Sequence, residues 1–105
     1  MRRIKASSFH GNPQKYVAQL DITTEYAESL WGTHELSADD LGPWLTFAFT
    51  LQDGTLAALV REVHNAPNTG YILTAIGYKE SRDVLAEFLA ESGLTSEHVL
   101  HEGFD

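Results

Sequence analysis

Residues 44–78 read WLTFAFTLQDGTLAALVREVHNAPNTGYILTAIGY, and this stretch decides the fold. Large apolar residues alternate with smaller or polar ones from Trp44 to Leu51, which indicates a half-buried strand. A second apolar run follows, then a loop rich in Asn, Pro and Gly at residues 64–70, and then a third strand pattern from Tyr71 to Ile76. The stretch predicts three consecutive antiparallel strands, a meander spanning residues 44–76.

The Asp53-Gly54 pair between the first two strands predicts a two-residue type I′ hairpin, in which both central residues need positive φ. Such a turn would place Phe49 opposite Ala58 and Phe47 opposite Val60. Both faces of the predicted sheet carry apolar side chains. The second face therefore needs a cover, which could be a helix, another copy of the chain or a partner.

The clearest helix pattern begins at Ser81 and stops at Gly93, with an apolar stripe between them. Residues 14–31 allow two interpretations: one helix that starts at Asn12-Pro13, or a strand over residues 15–22 followed by a helix capped by Thr23. The second half is helical in both. In the second interpretation its core-packing residues would be Tyr26, Ala27, Leu30 and Trp31. Residues 33–43 read as a polar connection with a single capped helical turn.

Length and composition predict one α+β domain over residues 1–105. Its 43% hydrophobic content suffices for a single core without disulfides. We expect an antiparallel sheet of three to five strands, with one or two helices packed on one face. The chain has no cysteine, no apolar run long enough for a membrane span and no signal-peptide pattern, which predicts a cytoplasmic protein.

The charge pattern favours a protein partner. Fifteen acidic residues against seven Lys and Arg give a net charge of −8, and no Lys or Arg occurs between residues 16 and 60. Such a field opposes direct binding to nucleic acid or anionic membranes and accelerates encounter with a basic protein. Acids spaced by four in the last helix lack basic neighbours on their face. The predicted partner-binding residues are Glu25, Glu28, Asp39, Asp40, Asp83, Glu87 and Glu91.

No catalytic motif, cofactor-binding motif or metal-binding motif is present, so the sequence predicts no cofactor and no catalytic residue. His98 and His101 are three residues apart in a predicted strand, which places them on opposite faces and argues against a metal site. The alternative function is a small ligand-binding protein or enzyme, compatible with a homodimer. Its pocket would be formed by Glu62, His64, Tyr71 and Tyr78.

The segment SRDVLAEFLAESGLTSEHVLHE, residues 81–102, combines a capped helix with a short strand. With the small size and acidity of the chain, it resembles the ends of small immunity proteins that bacteria pair with polymorphic or contact-dependent toxins. The resemblance covers architecture and composition, so it transfers no individual site residue. It implies an inhibitor that neutralises a basic effector or nuclease-type toxin by occlusion.

Overall fold

The computed structural model describes residues 1–9, 11–39, 42–63 and 70–104, with residues 38, 39 and 42 described for their backbone only. The fold is α+β, as predicted. In chain order the elements are β1 (Arg2–Ile4), a 3-10 turn (Ala6–Phe9), β2 (Lys15–Leu20), α1 (Thr24–Trp31), β3 (Glu35–Asp39), β4 (Gly42–Thr50), β5 (Leu56–Glu62), β6 (Tyr71–Ile76), α2 (Ser81–Ser92), a second 3-10 turn (Ser96–His98) and β7 (Val99–Glu102).

The strands form one antiparallel sheet in the order β1-β4-β5-β6-β2-β7. Strand β3 also pairs with β4, and it shares the outer β4 edge with β1 because β5 pairs along residues 44–50 of the other edge. The predicted meander β4-β5-β6 is confirmed. The predicted number of three to five strands is wrong, since the described residues form seven. Short edge strands such as β1 carry too few residues to show an alternating pattern.

The hairpin between β4 and β5 differs from the predicted one by one residue. Asp53 does not adopt positive φ, whereas Gly54 has φ 90°, which excludes a type I′ turn. The Gly54 N–H donates to the Leu51 carbonyl at 2.9 Å, and the Leu51 N–H donates to the Thr55 carbonyl at 2.8 Å. The loop therefore has three residues. This arrangement pairs Phe49 with Ala57 and Phe47 with Leu59, so the predicted register is wrong.

A shift of one residue exchanges the two faces of β5. Leu59 and Ala57 lie beneath the helices, whereas Ala58 and Val60 lie on the opposite face of the sheet. Glu62, the partner of Trp44 in the β4-β5 register, lies on that opposite face as well. The location of these side chains determines which residues are available at each surface.

Residues 14–31 form a strand followed by a helix, the second of the two interpretations. The Thr23 side chain accepts a hydrogen bond from the Tyr26 N–H at 3.0 Å and caps α1, as that interpretation required. The predicted helical turn in residues 33–43 is wrong. Residues 35–39 are strand β3, and Gly42 and Pro43 begin β4.

Both helices pack on one face of the sheet, as predicted. Helix α2 buries Val84, Leu85 and Phe88, in agreement with its periodic pattern, although Glu80 rather than Ser81 is the N-cap residue. Helix α1 contributes Ala27 and Trp31. The Trp31 ring lies 5.2 Å from the Phe49 ring and 6.3 Å from the Phe88 ring. One aromatic cluster therefore joins α1, the sheet and α2, and the partly buried Trp31 packs against the core.

The opposite face, here called the helix-free face, is partly covered from within. Residues 5–9 and 11–14, here called the crossing segment, connect β1 to β2 over this face. Phe9 is buried against Ala48 and Ala58, with Ile4 and Val60 around them. The chain itself thus covers the centre of the face that the sequence left open. Within the described residues, neither helix combines the length and apolar character that crossing a membrane requires.

Candidate partner-binding surface

The predicted acidic residues of the two helices lie on the same side of the molecule. Because α1 and α2 both bury one side against the same sheet face, their other sides lie together on that side of the sheet, although the Glu91 side chain is only 10% exposed. We call this surface the acidic helix layer. It comprises Glu25 and Glu28 of α1 with Asp83, Glu87 and Glu91 of α2.

The two predicted aspartates of residues 39–40 are not part of either helix. Asp39 ends β3, and its backbone pairs with Gly42 at the edge of the sheet. Asp40 lies outside the described residues, as does His64 of the alternative pocket.

Three carboxylates of the acidic helix layer have partners within the chain. Glu28 accepts hydrogen bonds from the His34 N–H at 3.2 Å and from its ring Nδ1 at 3.0 Å. Glu87 pairs with Lys79 at 2.6 Å. Glu91 pairs with the amine of Met1 at 2.8 Å. The hypothesis that α2 lacks cations therefore needs correction: Lys79, just before α2, and the Met1 amine supply them, while Glu25 and Asp83 remain exposed.

These contacts change the titration of the groups involved. Burial raises the pKa of Glu91, but hydrogen bonds from the Met1 amine and the Gln52 N–H lower it more, so its pKa lies below the ordinary value. Lys79 also pairs with Asp53 at 2.6 Å. Hydrogen bonds from Lys79 and Thr55 hold the pKa of Asp53 well below 3.8, and the two carboxylates raise the pKa of Lys79 to about 12. Lys79 thus links Asp53 of the β4-β5 hairpin to Glu87 of α2.

We expect the Lys79→Gln substitution to raise the pKa of Asp53 towards 3.8 without reaching it, because Thr55 still donates to the carboxylate. A carboxyl group whose pKa is lower in the folded state than in the unfolded state stabilises the fold at pH values above its unfolded-state pKa. This stabilisation is lost as the pH falls through the folded-state pKa. NMR titration of the Asp53 carboxyl carbon measures the shift. Lys5→Gln removes the same charge from an exposed site; an equal shift in both variants would contradict the assigned ion pair.

Two large apolar side chains are exposed on α1. Tyr26 is 43% exposed and Leu30 is 44% exposed. They are four residues apart and so lie on one side of the helix, next to Glu25. The sequence predicted that both would pack in the core with Ala27 and Trp31. In the structure only the latter two face the sheet, because an eight-residue helix contacts it along one narrow stripe.

Tyr26 of this pair and the C-terminus of α1 each contact a distant part of the chain. The Tyr26 ring stacks on the His98 ring with centroids 6.2 Å apart and planes 12° apart. At the other end of α1, Arg3 donates to the Trp31 carbonyl at 2.6 Å and to the Thr33 carbonyl at 3.1 Å. The guanidinium thereby satisfies carbonyls at the helix C-terminus. No local sequence pattern indicates either contact, because each joins residues far apart in the chain.

The alternative pocket residues are dispersed. Tyr71 is buried among the helix-side core residues, and its hydroxyl lies 2.8 Å from the Thr24 hydroxyl. Burial raises its pKa. Glu62 lies on the helix-free face, and Tyr78 is fully exposed in the turn after β6. The structure therefore does not bring Tyr71 together with Tyr78 or Glu62.

The described residues contain no cluster of three or more His, Asp or Glu side chains arranged to hold a metal ion. Comparisons of the chain with family models, curated proteins and solved structures find no match. What the acidic helix layer offers is negative charge, carboxylate acceptors and two exposed apolar side chains, a combination suited to recognising a cationic protein surface.

Proposed function

We propose that this chain is a non-catalytic binding module that neutralises a basic effector, such as a nuclease-type toxin, by covering it with the acidic helix layer. The observation that carries the proposal is the packing of both helices on one sheet face. It collects acidic side chains from two separate parts of the sequence on one side of the molecule. The resemblance to bacterial immunity proteins points to the same function.

The exposed pair Tyr26 and Leu30 supports a protein rather than a simple ion as the partner. Interface energy concentrates in a few large side chains that become fully buried, while surrounding charges mainly set the association rate and specificity. Tyr26 loses little conformational freedom on binding because His98 already stacks on its ring. Glu25 next to it supplies charge at the rim of the same surface.

The test is binding to the basic proteins encoded beside this gene, measured by calorimetry with purified components. We expect one of them to bind, and the affinity to fall as NaCl rises from about 0.1 to 0.5 M because the exposed charges are screened. Cells that lack the gene should lose viability in the presence of that neighbour. Absence of both binding and protection would refute the proposed function.

The Tyr26→Ser, Leu30→Ser double variant is expected to weaken this binding by about 30-fold or more, since each side chain would contribute on the order of 1 kcal/mol or more as an interface anchor. Tyr78→Ser is the control, because Tyr78 is a fully exposed tyrosine outside the acidic helix layer. Tyr78 follows β6 at the end of the sheet where β2 begins, whereas α1 starts at the opposite end, where β2 ends. Equal losses for both variants would place the interface elsewhere.

A further inference from the structure

An open cleft lies on the helix-free face, between the crossing segment and strand β3. Its volume is about 520 Å³. Strands β4 and β5 form the floor with Trp44, Thr46, Ala58 and Val60, and Glu35 of β3 stands in the wall. The cleft is on the opposite side of the sheet from the acidic helix layer, so it is independent of the proposed function.

Several polar side chains line the cleft, and contacts within the chain fix the positions of Glu35 and Thr46. The Glu35 carboxylate accepts the Ala6 N–H at 2.8 Å through Oε2, and it makes no other hydrogen bond within the described part of the chain. The Thr46 hydroxyl, in a side chain that is only 5% exposed, lies 2.8 Å from the Ser37 hydroxyl. Among the described residues that line the cleft, Glu35 is the one ionisable group.

This lining selects for positive charge. A neutral apolar occupant would remove water from the Glu35 carboxylate without replacing its hydrogen bonds, which is costly, and an anion would be repelled. A cation can pair with the carboxylate while its stem lies on the apolar floor. The indole ring of half-buried Trp44 adds a surface that attracts cations, and Glu62 faces Trp44 across the β4-β5 pair.

We propose that this cleft binds a small free organic cation, an amine or guanidinium carried on an apolar or aromatic stem. The volume lies in the lower part of the range found for ligand sites, which fits a molecule of roughly ten heavy atoms. For a probe of that size, such as phenethylammonium, we expect a dissociation constant on the order of 1 mM.

The experiment is a titration followed by the NMR signal of the Trp44 indole N–H, assigned with the Trp44→Phe variant. The probes are phenethylammonium, agmatine, uncharged phenethyl alcohol and anionic 3-phenylpropionate. We expect saturable shifts with the two cations, about tenfold weaker binding of the alcohol and no binding of the anion. Equal affinities for phenethylammonium and the alcohol, or no saturable shift with any cation, would overturn the proposal.

Two variants locate the site. Glu35→Gln keeps a carbonyl oxygen for the Ala6 N–H but removes the charge, so the protein should fold and bind phenethylammonium about tenfold more weakly. Glu97→Gln removes the same charge from an exposed residue of the second 3-10 turn and should leave the affinity unchanged; an equal loss in both variants would show that only the net charge of the protein matters. A capped tripeptide with a central arginine tests whether the cation is instead a side chain of another protein. Tighter binding of this peptide than of agmatine would overturn the proposal that the ligand is a small free molecule.

Discussion

Replacing Phe88 with alanine is expected to lower the free energy of unfolding by about 3–5 kcal/mol. Phe88 is completely buried in α2, and its ring lies 5.9 Å from Phe49 and 6.3 Å from Trp31. Removing it deletes apolar surface and leaves a cavity where α1, α2 and the sheet meet, which the surrounding side chains can fill only in part. Such a loss is a large fraction of the total stability of a small domain.

Urea unfolding followed by circular dichroism measures this effect, with the slope of the transition expected to stay constant. Phe88→Leu is the control, because it keeps most of the buried apolar volume, and it should cost only about 1.5 kcal/mol. A loss below that value for Phe88→Ala would show that the helices do not share one aromatic cluster. The acidic residues of α1 and α2 would then not be held on the same side of the sheet by shared aromatic packing.

The sequence predicted best where a pattern is long. Helix α2 and the meander β4-β5-β6 each repeat an apolar period over many residues, and both are present. The hairpin register could not be predicted, because Asp53-Gly54 suits a type I′ turn and a three-residue loop equally well. Both turns need glycine at positive φ, and only the tertiary structure reveals that Asp53 has negative φ.

The candidate surfaces were predicted less well than the fold. The spacing of Asp83, Glu87 and Glu91 correctly indicated one helix face, but it could not show that Lys79 reaches Glu87. Similarly, Tyr26 and Leu30 have the apolar spacing of core residues but are exposed. Ala27 and Trp31, which face the sheet, each lie only one position further along the helix, and sequence spacing does not distinguish the two sets. The cleft on the helix-free face depends on where the crossing segment runs, and no local pattern encodes that path.

Gly70 occupies a position where the backbone of β2 leaves no room for a side chain. It has φ 100°, and a Cβ atom added there would lie 2.5 Å from the carbonyl oxygen of Leu20. Leu20 pairs with both Tyr71 of β6 and Val99 of β7. Since that oxygen belongs to the backbone, relieving the contact requires moving β2 or β6, rather than rotating a side chain.

We therefore expect Gly70→Ala to destabilise the protein by about 3 kcal/mol, the sum of the strain of positive φ and the steric displacement. Gly77→Ala separates the two contributions, because Gly77 has φ 111° and no atom within 4 Å of the added Cβ. It should cost only about 1–2 kcal/mol. Thermal unfolding of both variants tests this difference, and equal costs would contradict the close approach of Gly70 to Leu20. Because β7 is held at the sheet by this same part of β2, hydrogen exchange at the β7 amides should increase more in Gly70→Ala than in Gly77→Ala.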